Sequence, residues 1–178
     1  MYAQLTNAYF SDYVEQNRKV GIPIKDKTEY SRRLFVVIQR TTRGFSNFDD
    51  VYDLMVKLGK ETNRDVIVFD DKKQPTFNET LDIFNRADLI VGAHGAAFAN
   101  LLAGTPGATV VEIHCTGTVN IRMPFRLLAL RLGMRYFGTQ TTRPKATSAR
   151  CNSEGIMVDL NELEAFLRTV PAYLPNLL

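Results

Sequence analysis

Apolar residues along this chain fall into short continuous blocks separated by stretches of helical spacing. Leu34-Phe-Val-Val-Ile38 is one such block, and Val66-Ile-Val-Phe69, Leu89 to Ala93 and Thr109-Val-Val-Glu-Ile113 follow it. Uninterrupted apolar runs of this length are what strands buried on both faces require. Between them lie helix patterns. Val51, Leu54, Met55 and Leu58 recur on one helical face. Ser46 or Asn47 stands where a cap is needed, Asp49 and Asp50 occupy the first turn, and Gly59 lies near the end. Thr76-Phe-Asn-Glu79 predicts a capping box ahead of Leu81, Ile83 and Phe84, and Asp159-Leu-Asn-Glu162 predicts another ahead of Leu163, Phe166 and Leu167. Ala97 to Ala103 reads as a small-residue helix and Pro124 to Leu132 as another, with Gly133 at its C′ position. Arg135-Tyr-Phe137 predicts a short fifth strand, and the polar stretch Thr139 to Ser153, which contains Pro144, a loop. Tyr9, Phe10, Tyr13 and Val14 suggest a leading helix, and Gly21-Ile-Pro-Ile24 a connection.

Strands alternating with helices predict an α/β fold: a Rossmann-like, three-layer parallel sheet. The expected division is 1–31 for the leading helix and connection, and 32–178 for the Rossmann-like domain. At 178 residues and 45% hydrophobic, the chain has the length and apolar content for one such core. A formal net charge of +3 with no long basic run gives no footprint for nucleic acid. Residues 2–13 lack the apolar stretch of a signal peptide, and no run is long enough to span a bilayer, so no direct membrane contact is expected of this segment. Cys115 and Cys151 lack metal-ligand spacing. A disulfide, pairing with a region outside this chain, and two thiols all fit them, free thiols being the default. Asn78-Glu79-Thr80 is an N-glycosylation triplet, which permits a secretory setting without requiring one.

The candidate chemistry lies at the ends of strands. Gln39-Arg40-Thr41-Thr42-Arg43-Gly44 follows the first strand, His94-Gly95 the third, and His114-Cys115-Thr116-Gly117 the fourth. In a doubly wound sheet the carboxyl ends share one rim, where such folds bind ligands. Arginines, histidines, hydroxyls and glycines gathered there make an anion pocket, since guanidinium gives charge-assisted, bidentate bonds to phosphate. The turn through Gly92-Ala93-His94-Gly95-Ala96 would aim backbone N–H groups and a helix N-terminus at the same place. Arg40, Arg43, His94, Gly95 and Ala96 are therefore the candidate binding residues. Glu112, a carboxylate closing an apolar strand, is a further candidate, as acceptor for a ribose hydroxyl or as partner of an arginine. Asn100 either faces the ligand or bonds a neighbouring loop, His114 reads as structural or peripheral, and Asp70-Asp71 as a solvated turn. The chain has neither G-x-G-x-x-G nor a P-loop.

Four blocks carry a resemblance to a known family: Ile38-Gln-Arg-Thr-Thr-Arg43 with Asn47; Val91-Gly-Ala-His-Gly-Ala-Ala-Phe-Ala-Asn-Leu-Leu102; Pro106-Gly-Ala-Thr-Val-Val-Glu-Ile113; and Leu127-Leu-Ala-Leu-Arg-Leu-Gly-Met-Arg-Tyr136. In order and spacing they resemble glycosyltransferase family 61 over roughly residues 32–140. Ala97 stands where the family often has Gly, Ala99 where a hydroxyl residue is common, and Asp50 near a usual Glu. The resemblance implies the donor-binding half of a GT-B enzyme that transfers a sugar, such as N-acetylglucosamine or xylose, from UDP to a protein or glycan hydroxyl, inverting the anomeric centre. It implies no cofactor and no metal. It places Arg40 and Arg43 on the diphosphate, His94, Gly95 and Ala96 near nucleotide and phosphates, and Glu112 near the nucleoside. It also implies an acceptor-binding N-terminal domain in cis, which residues 1–31 are too short to form, and it leaves the catalytic base unassigned. Eukaryotic members work in the lumen of the endoplasmic reticulum or Golgi, and bacterial ones in the cytoplasm. Two alternatives stand beside this expectation: a non-catalytic nucleotide-binding or scaffold module of the same fold, and an unrelated flavodoxin-like binding domain.

Overall fold

The computed structural model describes residues 33–115, 124–140, 151 and 154–170. The expected leading helix and connection, and most of the expected loop after residue 140, lie outside them. Five strands form the sheet: β1 (Leu34–Gln39), β2 (Asp65–Asp70), β3 (Ala87–Ala93), β4 (Thr109–His114) and β5 (Arg135–Gln140). All four pairings are parallel, in the order β2-β1-β3-β4-β5. This is the α/β, Rossmann-like sheet expected from the alternation, in the order that reverses direction between β1 and β3. β5 runs three residues further than the apolar pattern suggested, taking Thr139 from the expected loop into the ladder.

Alternation along each strand feeds two cores. Phe35 and Val37 of β1, Leu89 and Val91 of β3, and Val111 and Ile113 of β4 pack with Val51, Met55 and Leu58 of α1 (Phe48–Glu61) and with Leu163 and Leu167 of α4 (Leu160–Leu167). The intervening residues Leu34, Val36, Ile38, Ile90 and Val110 pack with Ile83 and Phe84 of α2 (Phe77–Arg86). Phe98 and Leu101 of a 3₁₀ helix (Ala96–Ala103) and Ala129 of α3 (Pro124–Arg131) complete that core.

Several local expectations hold. Thr76 and Glu79 form a reciprocal capping box, Asp159 accepts from the Glu162 N–H at 3.0 Å, and Gly133 follows α3 at φ 71°. The helix expected after β3 is present over Ala96–Ala103, in 3₁₀ form. Others do not. Asn47 precedes α1 but makes no side-chain cap; its amide instead donates to the Val158 carbonyl at 3.0 Å and accepts from the Val158 N–H at 3.1 Å. Gly59 lies inside the last turn, where a Cβ would stand 2.8 Å from Val66 Cγ2, so its role is close packing on β2. Cys115 and Cys151 form a disulfide with buried half-cystines, not free thiols.

Candidate functional site

The carboxyl end of β1 leads into a connection, residues 40–47, that is pinned on both sides. Asp71, just past β2, accepts from the Thr41 N–H at 2.8 Å and from its Oγ1 at 2.5 Å. The turn after β2 is thus a bracket for this connection rather than only solvated. On the other side Ile156 donates to the Gly44 carbonyl at 2.7 Å and accepts from the Ser46 N–H at 3.0 Å, next to the Asn47–Val158 pair. The disulfide anchors the same C-terminal segment to the end of β4. Arg40 and Arg43 are carried by this braced connection.

Arg40 crosses the β1/β3 switch point. Its Nη1 donates to the His94 carbonyl, and its guanidinium lies against Gly95, where a Cβ would fall 2.6 Å from Nε. Burial first, then the nearby Arg43, hold the guanidinium below its ordinary value, and Asp71 opposes them. An arginine so placed stays charged. Arg43 is exposed, at φ 59°. Ala96 is exposed and opens the 3₁₀ helix, whose first N–H groups have no partner within the helix. Asn100 donates to the Ala97 carbonyl of its own helix at 3.0 Å, and among the described residues it bonds no neighbouring loop.

Next to this lies a cluster built by register. Glu112 of β4 is paired with Gly92 of β3 on one side and with Gly138 of β5 on the other. Neither neighbour has a side chain, so the glutamate reaches diagonally, as long side chains do across a sheet. Its Oε1 meets His94 Nδ1 at 2.5 Å, and its Oε2 accepts from the Tyr136 hydroxyl. His114 Nε2 is 3.4 Å from that hydroxyl and 3.7 Å from Oε2. The His94 and His114 rings stack at 4.9 Å, and Phe125 of α3 lies 5.9 Å from His94.

The Glu112 side chain is 1% exposed, with both oxygens engaged. Each oxygen keeps a second lone pair, so it is burial rather than saturation that limits the access of a ribose hydroxyl to Glu112. The His94 side chain is 31% exposed. Burial drives Tyr136 above its ordinary range, reinforced by Glu112, so its hydroxyl keeps its proton. His114 titrates below an ordinary histidine because burial outweighs the attraction of Glu112. One ligand atom from each of His94, Glu112 and His114 lies within 4.8 Å of the others. At 2.5 Å the His94–Glu112 pair is hydrogen-bonded, whereas two ligands of one zinc stand roughly 3.3 Å apart. As arranged, the cluster is a hydrogen-bonded network.

The structure thus brings Arg40, His94, Gly95, Ala96 and Glu112 to one rim, leaves Arg43 on its exposed margin, and engages the Asn100 amide within its own helix. Sequence reasoning missed Tyr136; it read His114 as structural or peripheral, and the ring lies buried behind His94. No local signal marks them, because the register that aligns Gly92, Glu112 and Gly138 is set only when the strands pair. Thr116 and Gly117 lie outside the described residues.

A family model described as Glycosyltransferase 61 matches residues 2–111. The match contains Arg40, Arg43, His94, Gly95, Ala96 and Asn100 and ends one residue before Glu112. No curated protein matches the chain. Among solved structures, a diflavin flavoprotein A3 from Nostoc sp. is similar at 15% identity and a TM-score of 0.49, over 82% of this chain and 99% of that one.

Proposed function

The chain belongs to glycosyltransferase family 61, and from that premise we propose that its β1/β3 rim binds the diphosphate of a UDP-sugar as the donor half of an inverting, metal-independent transferase. The observation that carries this reading is Arg40. A half-buried guanidinium packed on Gly95 sits at the switch point of the sheet, beside the partly exposed His94 ring and the first N–H groups of the 3₁₀ helix. Departure of UDP from the sugar leaves negative charge on the β-phosphate, and fixed cationic donors are what stabilise it without a metal. Arg43 supplies further positive charge at the margin. The sugar passes to a protein or glycan hydroxyl held by an acceptor-binding domain in cis.

A disulfide at the foot of the site fits an oxidising compartment such as the endoplasmic reticulum or Golgi lumen. No helix among the described residues is long and apolar enough to cross a membrane.

Calorimetric titration of the chain with UDP, without added metal, tests the reading. Saturable binding is expected, weakened about tenfold or more in Arg40→Ala and in His94→Ala. Equal affinity in both variants would remove the assigned residues from the site. No binding by the unaltered chain would favour a scaffold role for this fold.

A further inference from the structure

We infer that Glu112 is a positioning residue that clamps His94 with its Nδ1 protonated, so that Nε2 is the nitrogen offered to the diphosphate and donor binding is coupled to proton uptake at that ring. The inference rests on the donor reading above and adds to it Glu112, which lies one residue beyond the family match. Glu112 receives the Tyr136 hydroxyl on Oε2 and faces His94 Nδ1 with Oε1. A carboxylate can only accept, so Nδ1 carries the hydrogen whether the ring is neutral or charged. Nδ1 is thereby spent inside the protein, and Nε2 is the nitrogen left for a ligand on the partly exposed ring. The clamp is itself held rigid. Tyr136 fixes Oε2, and the His114 ring backs the imidazole.

With Nδ1 fixed as a donor, the ring presents a lone pair at Nε2 when neutral and an N–H when protonated. A lone pair repels a phosphate oxygen, whereas an N–H⁺ donates to it. The groups facing this ring from the packed elements are Arg40 on its carbonyl at the end of β1, Glu112 and His114 on β4, Phe125 on α3, and Tyr136 on β5 with Arg126 near it. Among the described residues Glu112 is the carboxylate that meets this ring, and it offsets a charge on His94. The coupling has a fixed sign. A dianionic diphosphate favours the charged ring, so affinity is full where the free ring is already protonated and falls as pH rises.

The chain has only two histidines, so nitrogen NMR of the full chain labelled at histidine resolves both rings. At high pH, without ligand, the His94 signal is expected as the Nδ1–H tautomer, and Glu112→Gln is expected to lose that preference. An Nε2–H tautomer in the unaltered chain would overturn the clamp with no variant needed. Titration with a UDP-sugar supplies the second arm, because a diphosphate esterified at both ends has no proton of its own that titrates near neutrality. Affinity is expected to be about tenfold lower at a pH where the nitrogen signal reports the neutral ring than at one where it reports the charged ring, equivalent to one pH unit of linkage. Glu112→Gln should bind weakly and with little pH dependence. Binding that is intact but independent of pH would overturn the coupling while sparing the donor reading. No binding of a UDP-sugar at any pH would overturn the donor reading and the coupling together, leaving the tautomer to judge the clamp.

Discussion

Arg40 and Gly95 are a matched pair, and the match can be tested by filling the space the glycine leaves. A Cβ on Gly95 would meet the flexible end of the Arg40 side chain rather than backbone. The φ of Gly95, 166°, is one that any residue adopts, so alanine brings no backbone strain. Gly95→Ala should therefore keep its Tm near that of the unaltered chain and lose UDP affinity about as Arg40→Ala does, by calorimetry. A large drop in Tm would mean that Gly95 serves the fold instead. His114 makes a second prediction at this scale. Its folded form disfavours the proton because of burial, so the unfolded chain binds that proton more readily. The stability held by the neutral ring is full above 6.5, the ordinary histidine value, and drains away as pH falls below it. Melting followed from about pH 8 to pH 5 should show a steeper acid loss in the unaltered chain than in His114→Gln. Parallel curves would remove His114 from the pH dependence. The arginines and His94 were legible in the sequence because charged and small residues just after apolar blocks are conspicuous. The engagement of Glu112 was not, because its partners come from β3 and β5.

At the scale of elements, the connection after β1 is held from outside itself. Asn47 makes two bonds to Val158 across a separation of 111 residues, and the 36-residue span between Cys115 and Cys151 is closed by the disulfide. Asn47→Ala removes both bonds at a partly buried site and should cost about 1–3 kcal/mol in denaturant unfolding. A loss near zero would mean that water replaces the amide freely. Removing the disulfide by Cys151→Ser should cost about 3–4 kcal/mol, from the chain entropy regained by a loop of this length. If the C-terminal segment braces Arg40 as the hydrogen bonds indicate, the same variant should also weaken UDP binding under conditions where it is still folded. Undiminished affinity in the folded variant would separate the brace from the site. Asn47 has the sequence signature of a helix cap, and nothing local distinguishes a capping amide from one claimed by a strand-like segment far along the chain. The capping box at Thr76 was legible for the opposite reason, since both of its bonds close within four residues.

For the molecule as a whole, the sheet order is what turns separate strand ends into one rim. β1 and β3 are neighbours with β2 outside them, so Arg40 and His94 meet although 54 residues separate them. Apolar periodicity and capping signals were enough to place the five strands, the α/β class and the main helices, because burial on two faces and local caps write themselves into short stretches of chain. The family was legible in the same way, from ordered blocks around Arg40 and His94. Periodicity does not encode register or the partner of a side chain beyond its own element. The pairing of Glu112 with Gly92 and Gly138, the engagement of the Asn100 amide, the 3₁₀ form of residues 96–103 and the closure of Cys115 on Cys151 were therefore decided only when the strands packed. Each depends on what another part of the chain brings within a few ångströms, and that is set by tertiary contact rather than by the residues adjacent in sequence.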